Sequence, residues 1–210
     1  EHVPVRVILK LPDVAEKTEI MNVKTQKVDQ VAMITALVND DARTALIAAT
    51  AIEYKTSKVL VLSERRKHLE DIKLHIERLD PTATVGLYRG QMKPTELKES
   101  ELCDVILGTY SIASVGLDIR GLNTLILATP RSDVVQASGR IQRDLSPLFG
   151  KTLIDVYDKF SVFQGQYAKR ASFYKRSGFD IEGTNKRKAT EPREEKNTSI
   201  FTHCMISSDY

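Results

Sequence analysis

Between residues 58 and 177 short apolar runs alternate with stretches of helical period, and no other feature constrains the fold as tightly. "KVLVLS" (58–63) is β-branched and apolar without polar alternation, as expected of a strand covered on both faces. "ERRKHLEDIKLHIERL" (64–79) follows, with Leu69, Ile72, Ile76 and Leu79 spaced for one helix face. "TVGLY" (84–88), "DVILGT" (104–109), "NTLILAT" (123–129) and "KTLIDVY" (151–157) read as further strands. "TELKESEL" is a weak helix and "DVVQASGRIQR" a helical stretch. A last helix over roughly 161–177 carries Phe163, Tyr167, Ala171 and Tyr174. This alternation predicts an α/β domain around a mainly parallel sheet, with helices on both faces.

The flanks read differently. "VPVRVILKL" (3–11) alternates as a strand, and Pro4 favours an edge position. "VDQVAMITALV" (28–38) has helical period, and Asp41 is placed to cap a second helix, "ARTALIAATAIEY". Residues 1–57 are expected to lead in from a preceding domain and to supply covering helices, and residues 58–180 to form the main domain. The stretch 181–210 is expected to be a polar tail with a short apolar end, "IFTHCMI". The chain begins at Glu1 and is expected to be a piece of something longer.

Composition narrows the function classes. The 31 basic residues nearly balance 28 acidic ones, so a nucleic-acid site must be a local patch rather than a global field. Two cysteines are too few for a disulfide framework and point to a reducing, intracellular compartment. No apolar run approaches the roughly 18 residues that span a bilayer. His68 and His75 are seven apart on one predicted helix face without a third ligand, and His203 and Cys204 are adjacent, so no metal site is expected.

In open α/β sheets ligands bind beyond the carboxyl ends of the strands. Those ends carry Ser63, Glu64, Arg65 and Arg66, then "YRGQ" with Arg89 and Gly90, then "GTYS" with Thr109, Tyr110 and Ser111. Hydroxyls, guanidinium groups and glycine-exposed amides hold a phosphodiester backbone without reading bases. Tyr88 and Tyr110 add potential stacking surfaces. In "GTYSIASVGLDIRGLN" (108–123), Gly116 permits close backbone approach and Asp118 can accept from a ribose hydroxyl. Taken alone, that stretch also reads as a helix C-cap and a turn. In "QASGRIQR" (136–143), Gln136, Arg140 and Arg143 fall within roughly 60° of helical arc. Gly139 inside that helix costs about 1 kcal/mol relative to alanine, which close approach of a backbone or ligand would offset; taken alone, the stretch also reads as a solvated basic face with an accidental glycine.

Together the last two segments resemble motifs V and VI of superfamily 2 helicases. "KVLVLSERRKHLEDI" is similar to motif IV of that family, and "GLYRGQ" to the strand end that follows it. The resemblance covers roughly 58–160 and implies the second RecA-like domain of a helicase core. "GTYSIASVGLDI" departs from the DEAD-box form, with an extra residue between Thr109 and Gly116 and Tyr110 in place of aspartate. It is closer to DNA-translocating members such as the poxvirus and African swine fever virus helicases. A viral setting would place the protein in host cytoplasm or virion.

The resemblance implies a role for each matched residue. Arg143 would be the arginine finger on the γ-phosphate of ATP, Arg140 a second phosphate contact and Gln136 a nucleotide sensor. Gly116 and Asp118 would face the same cleft, with Asp118 toward the ribose. Thr109, Tyr110 and Ser111 would contact the strand backbone, and Ser63, Arg65, Arg89 and Gly90 would continue the track. The implied partners are a single-stranded or duplex nucleic acid, expected to be DNA, and a first RecA-like domain. The sequence holds no G-x-x-x-x-G-K-[ST] and no D-E-x-[HD], so the phosphate cradle and the Mg²⁺ ligands belong to that other domain. This chain alone is therefore expected not to hydrolyse ATP. A Rossmann domain ranks far lower, because "SERRKH" has no glycine where a dinucleotide fingerprint needs three. A non-catalytic module that binds nucleic acid or a partner is the remaining alternative.

Overall fold

A computed structural model describes residues 4–15, 17–114, 119–141 and 150–182. Gly116, Asp118 and Arg143 lie outside the described residues, as does the polar tail from residue 183 onward.

The elements run β1 (Arg6–Lys10), α1 (Gln30–Val38), α2 (Asp41–Glu53), β2 (Val59–Ser63), α3 (Arg66–Leu79), β3 (Val85–Tyr88) and α4 (Pro94–Leu102). They continue as β4 (Val105–Thr109), α5 (Tyr110–Ser114), β5 (Thr124–Leu127), α6 (Val135–Ile141), β6 (Thr152–Val156), α7 (Val162–Arg176) and β7 (Asp180–Ile181). One seven-stranded sheet runs in the order β3-β4-β2-β5-β6-β1-β7. Its strand pairs are parallel throughout.

Alternation along the central strands divides the core in two. Leu60 and Leu62 of β2, Ile106 of β4 and Leu125 and Leu127 of β5 pack with Ala137 and Ile141 of α6 and Tyr174 of α7. Val59, Val61, Val105, Leu107 and Ile126 point the other way, onto Ile47 and Ala51 of α2 and Leu69, Ile72 and Ile76 of α3. Because both faces are covered, β2 is buried at every position, which is why its sequence shows no polar alternation. Each such leucine or isoleucine contributes about 1.5–3 kcal/mol by leaving water. A smaller cluster joins Met33, Ile34, Leu37 and Val38 of α1 to Phe163 of α7.

Several local expectations shift. The cap of α2 is Asp40, one residue earlier than Asp41: its carboxylate accepts from the Arg43 N–H at 3.0 Å and also pairs with Lys17. Leu79 ends α3 55% exposed, so only Leu69, Ile72 and Ile76 form the buried row. On α7 the buried row is Phe163, Gln166, Arg170 and Tyr174, turned slightly from the expected one. β1 is not an edge strand, since it lies between β6 and β7, and Pro4 stands outside its span. α7 ends where Gly178 adopts φ +69°, and the Phe179 N–H reaches back to the Tyr174 carbonyl at 2.9 Å.

Candidate functional site

The carboxyl ends of β3, β4 and β2 stand side by side, with Thr109 level with Ser63 and Gly108 level with Tyr88. The three polar clusters therefore share one sheet edge. They differ in what they expose.

Ser63 is fully buried. Its hydroxyl lies 3.0 Å from His68 Nδ1 and accepts the Arg65 N–H at 3.2 Å. It ties the end of β2 to the first turn of α3, and its side chain is turned inward rather than along the expected backbone track. Arg65 is half-buried just ahead of α3. At the end of β3, Tyr88 donates to Glu101 at 3.1 Å, Arg89 pairs with Glu70 at 2.9 Å, and Gly90 is exposed.

At the end of β4 the Thr109 and Ser111 hydroxyls are 2.9 Å apart, with Ser111 exposed. The Tyr110 side chain is likewise turned inward. It is only 6% exposed, and its hydroxyl donates to the Thr129 carbonyl at 2.8 Å. Burial pushes that hydroxyl's pKa far up. The Arg131 guanidinium covers the ring at 5.1 Å from its centroid, so no base can stack there.

A cavity of about 290 Å³ opens between these segments, lined by Tyr110, Ser111, Arg131, Asp133, Gln136 and Ala137. It brings together Ser111 of "GTYS" and Gln136 of "QASGRIQR", which stand 25 positions apart in sequence. Gln136 is exposed on α6, whereas Arg140, one turn on, is 8% exposed and engaged within the protein. Asp133 turns a carboxylate oxygen to the Val135 N–H at 3.1 Å, at the start of α6. A β-carbon at Gly139 would meet no described atom within 4 Å, so the close approach expected there is absent among the described residues. The larger cavity, about 380 Å³ beside Leu11, Asp13 and Lys17, is less suited to an anion because Lys17 is already neutralised by Asp40.

Two buried ion pairs hold this edge from opposite faces of the sheet. Arg170 of α7 grips both carboxylate oxygens of Asp155 in β6, at 2.8 Å each, and Tyr174 donates to the same carboxylate at 2.8 Å. Burial opposes the Arg170 charge, but Asp155 outweighs it and holds the guanidinium pKa above its ordinary value. The third nitrogen of Arg170 donates to the Arg131 carbonyl at 2.7 Å. On the other face, Arg43 of α2 grips Asp158 through two 2.8 Å bonds, with both side chains fully buried. His68 lies nearby, and burial, helped by the Arg43 charge, lowers its pKa from 6.5 to about 3.

Arg131 and both pairs escaped the sequence reading. A signal existed: Asp155 interrupts the apolar run "TLIDV", and a carboxylate inside a covered strand demands a cationic partner. The histidines considered for metal are engaged elsewhere, His68 with Ser63 and His75 with Asp41 at 2.9 Å. Among the described residues no group of three His, Cys, Asp or Glu side chains is placed to hold a metal ion. Among them, too, no helix is long and apolar enough to cross a membrane. For a nucleotide, the described part of the cleft fits: an exposed guanidinium, an amide and a hydroxyl suit polyphosphate oxygens.

No protein-family model matches the chain. It is 32% identical over 170 residues to "Putative ATP-dependent RNA helicase L396" of Acanthamoeba polyphaga mimivirus, covering 79% of this chain and 33% of that protein. It is 26% identical over 132 residues to "Putative ATP-dependent RNA helicase QP509L" of African swine fever virus (Badajoz 1971, Vero-adapted), covering 62% of this chain and 25% of that protein. Thus the chain spans a third or less of the length of these curated relatives. Among solved structures it superposes on T4 UvsW with a TM-score of 0.63 at 17% identity, over 85% of this chain and 40% of that one. The fold is RecA-like, and the resemblance to superfamily 2 helicases read from the motifs holds in both sequence and fold.

Proposed function

We propose that this chain is the second RecA-like domain of an ATP-dependent nucleic-acid helicase or translocase. The observation that carries the proposal is the cleft joining Ser111 to Gln136, which sets the two matched motifs against one opening at the carboxyl edge. Arg140 and Arg143 would approach nucleotide phosphates across a cleft shared with a P-loop domain, which would itself hold Mg²⁺. When bound, ATP supplies the phosphoryl group whose transfer drives the cycle. A planar guanidinium stabilises charge spread over the γ-phosphate oxygens. Gly116 and Asp118 would face the ribose side. Thr109, Ser111, Arg65, Arg89 and Gly90 would follow the strand backbone, with Ser63 and Tyr110 supporting that edge from inside. The form of the motif around Tyr110 favours a DNA strand, whereas the relatives carry RNA in their names. Those viral names also support host cytoplasm or virion as the setting.

The test is strand-stimulated ATP turnover by the full-length protein, with Arg143→Ala beside it and this chain as a third sample. Turnover in the parent, its collapse in the variant with strand binding kept, and none from this chain alone are expected. Unchanged turnover in the variant removes Arg143 from the finger role. No turnover in the parent leaves a non-catalytic binding module. Single-stranded DNA and RNA of one sequence, used in parallel, decide the substrate.

A further inference from the structure

The geometry points to Arg131 as a phosphate-binding residue of the cleft, a role that rests on the nucleic-acid and nucleotide reading above. Arg131 follows β5 and lies outside the segments matched to the motifs. Its main chain and side chain are fixed separately. The carbonyl is held at 2.7 Å by Arg170, itself locked by Asp155, while the guanidinium rests over the Tyr110 ring. Tyr110 is in turn anchored to the Thr129 carbonyl, and the Thr129 hydroxyl accepts the Glu64 N–H at 2.9 Å. The segment from Thr129 to Arg131 is thus gripped from Glu64 just beyond β2, from Tyr110 at the start of α5 and from Arg170 of α7.

The result is an exposed guanidinium on a fixed main chain, biased toward one placement by the Tyr110 ring beneath it. Ordering a free arginine costs rotamer entropy, and the Tyr110 contact lowers that cost in part. It stands in a cavity with the Ser111 hydroxyl and the Gln136 amide, two neutral groups that complete a phosphate's hydrogen bonds. The phosphate belongs to a strand on the Ser111 side or to a nucleotide on the Gln136 side. Asp133 lines the same cavity and repels an anion, so its charge sets an upper limit on affinity.

The test uses the full-length protein, a fluorescent single strand in two sequences across a salt series, and separately a fluorescent ATP analogue. Arg131→Ala leaves the main-chain bond to Arg170 intact and loses only the contact over the Tyr110 ring, so its melting temperature should fall by no more than about 4 °C. Strand binding should weaken about ten-fold, equally for both sequences, with the salt slope lower by about one ion. Arg131→Lys should recover part of that loss. Asp133→Asn, whose amide oxygen can still accept the Val135 N–H, should tighten binding.

A loss confined to the strand arm assigns a phosphodiester, and one confined to the analogue arm assigns a nucleotide phosphate. Loss in both arms supports the role only if Asp133→Asn tightens one of them; otherwise it overturns it. Wild-type binding with an unchanged Arg131→Ala overturns Arg131 and leaves the functional reading standing. Wild type that binds neither probe removes both.

Discussion

Arg170 and Asp155 meet through two parallel 2.8 Å bonds, with side chains 2% and 1% exposed, inside the face that carries α6 and α7. Removing one partner leaves the other charge buried and unpaired. Arg170→Ala should therefore destabilise the fold by about 3–5 kcal/mol, read from the urea midpoint. Arg170→Lys should recover little of this, because an ammonium cannot serve both Asp155 and the Arg131 carbonyl in the same geometry. A loss below about 1 kcal/mol, the range of an exposed pair, would contradict the burial.

His68 should give stability a pH dependence. Its folded pKa of about 3 lies below the ordinary 6.5, so in acid the unfolded chain binds a proton that the folded chain refuses. This contribution is fully present above 6.5 and is lost as pH falls toward 3. The slope approaches about 1.4 kcal/mol per pH unit. Denaturation between pH 6.5 and 4.5, in wild type and His68→Gln, isolates it. The variant should lie flatter across that window, and parallel curves would count against a buried neutral His68.

Ser63 separates a structural from a binding role. Ser63→Ala removes the bond to His68 and leaves the Arg65 N–H without its acceptor, at a cost of about 1–3 kcal/mol. Strand affinity should stay within about two-fold, since a fully buried hydroxyl makes no phosphate contact. A large loss of affinity with unchanged stability would put Ser63 back on the track.

Two glycines should respond with opposite sign. A β-carbon at Gly86 of β3 would stand 2.7 Å from Ser100 Cα on α4, whose hydroxyl donates to the Leu87 carbonyl. Gly86→Ala should cost about 1–3 kcal/mol through that overlap. Gly165, inside α7, meets nothing within 4 Å, so Gly165→Ala should stabilise by about 0.5–1 kcal/mol. Melting temperatures of the two variants should move apart.

The sheet was legible because periodicity is a local signal. β2 to β6 follow the apolar runs, and α3 and α7 lie within a residue or two of their expected bounds. The two-residue β7 has too little sequence to show a period. Membership of β1 in the interior depends on a partner, β6, far along the chain. The same reason hid Arg43–Asp158 and Arg170–Asp155, since nothing local says which carboxylate an arginine will meet. The pattern puts Ser63 and Tyr110 at this sheet edge, but side-chain direction at a strand end is set by what packs over it. The sequence reading had no means to see His68 beneath Ser63 or Arg131 above Tyr110.

The position of β1 sets the order of synthesis against the order of assembly. Arg6 finds its partner in Thr152, and Val7 completes its pairing only when Ile181 arrives. Of the described strands, β1 is the first to leave the ribosome and among the last to be seated. Until β6 emerges, Val7 of β1 and Val5 just ahead of it, both buried in the finished fold, stay uncovered beside unpaired backbone that invites wrong partners. A nascent chain stalled before Thr152 should thus be a client for chaperones, and one released past Ile181 should not.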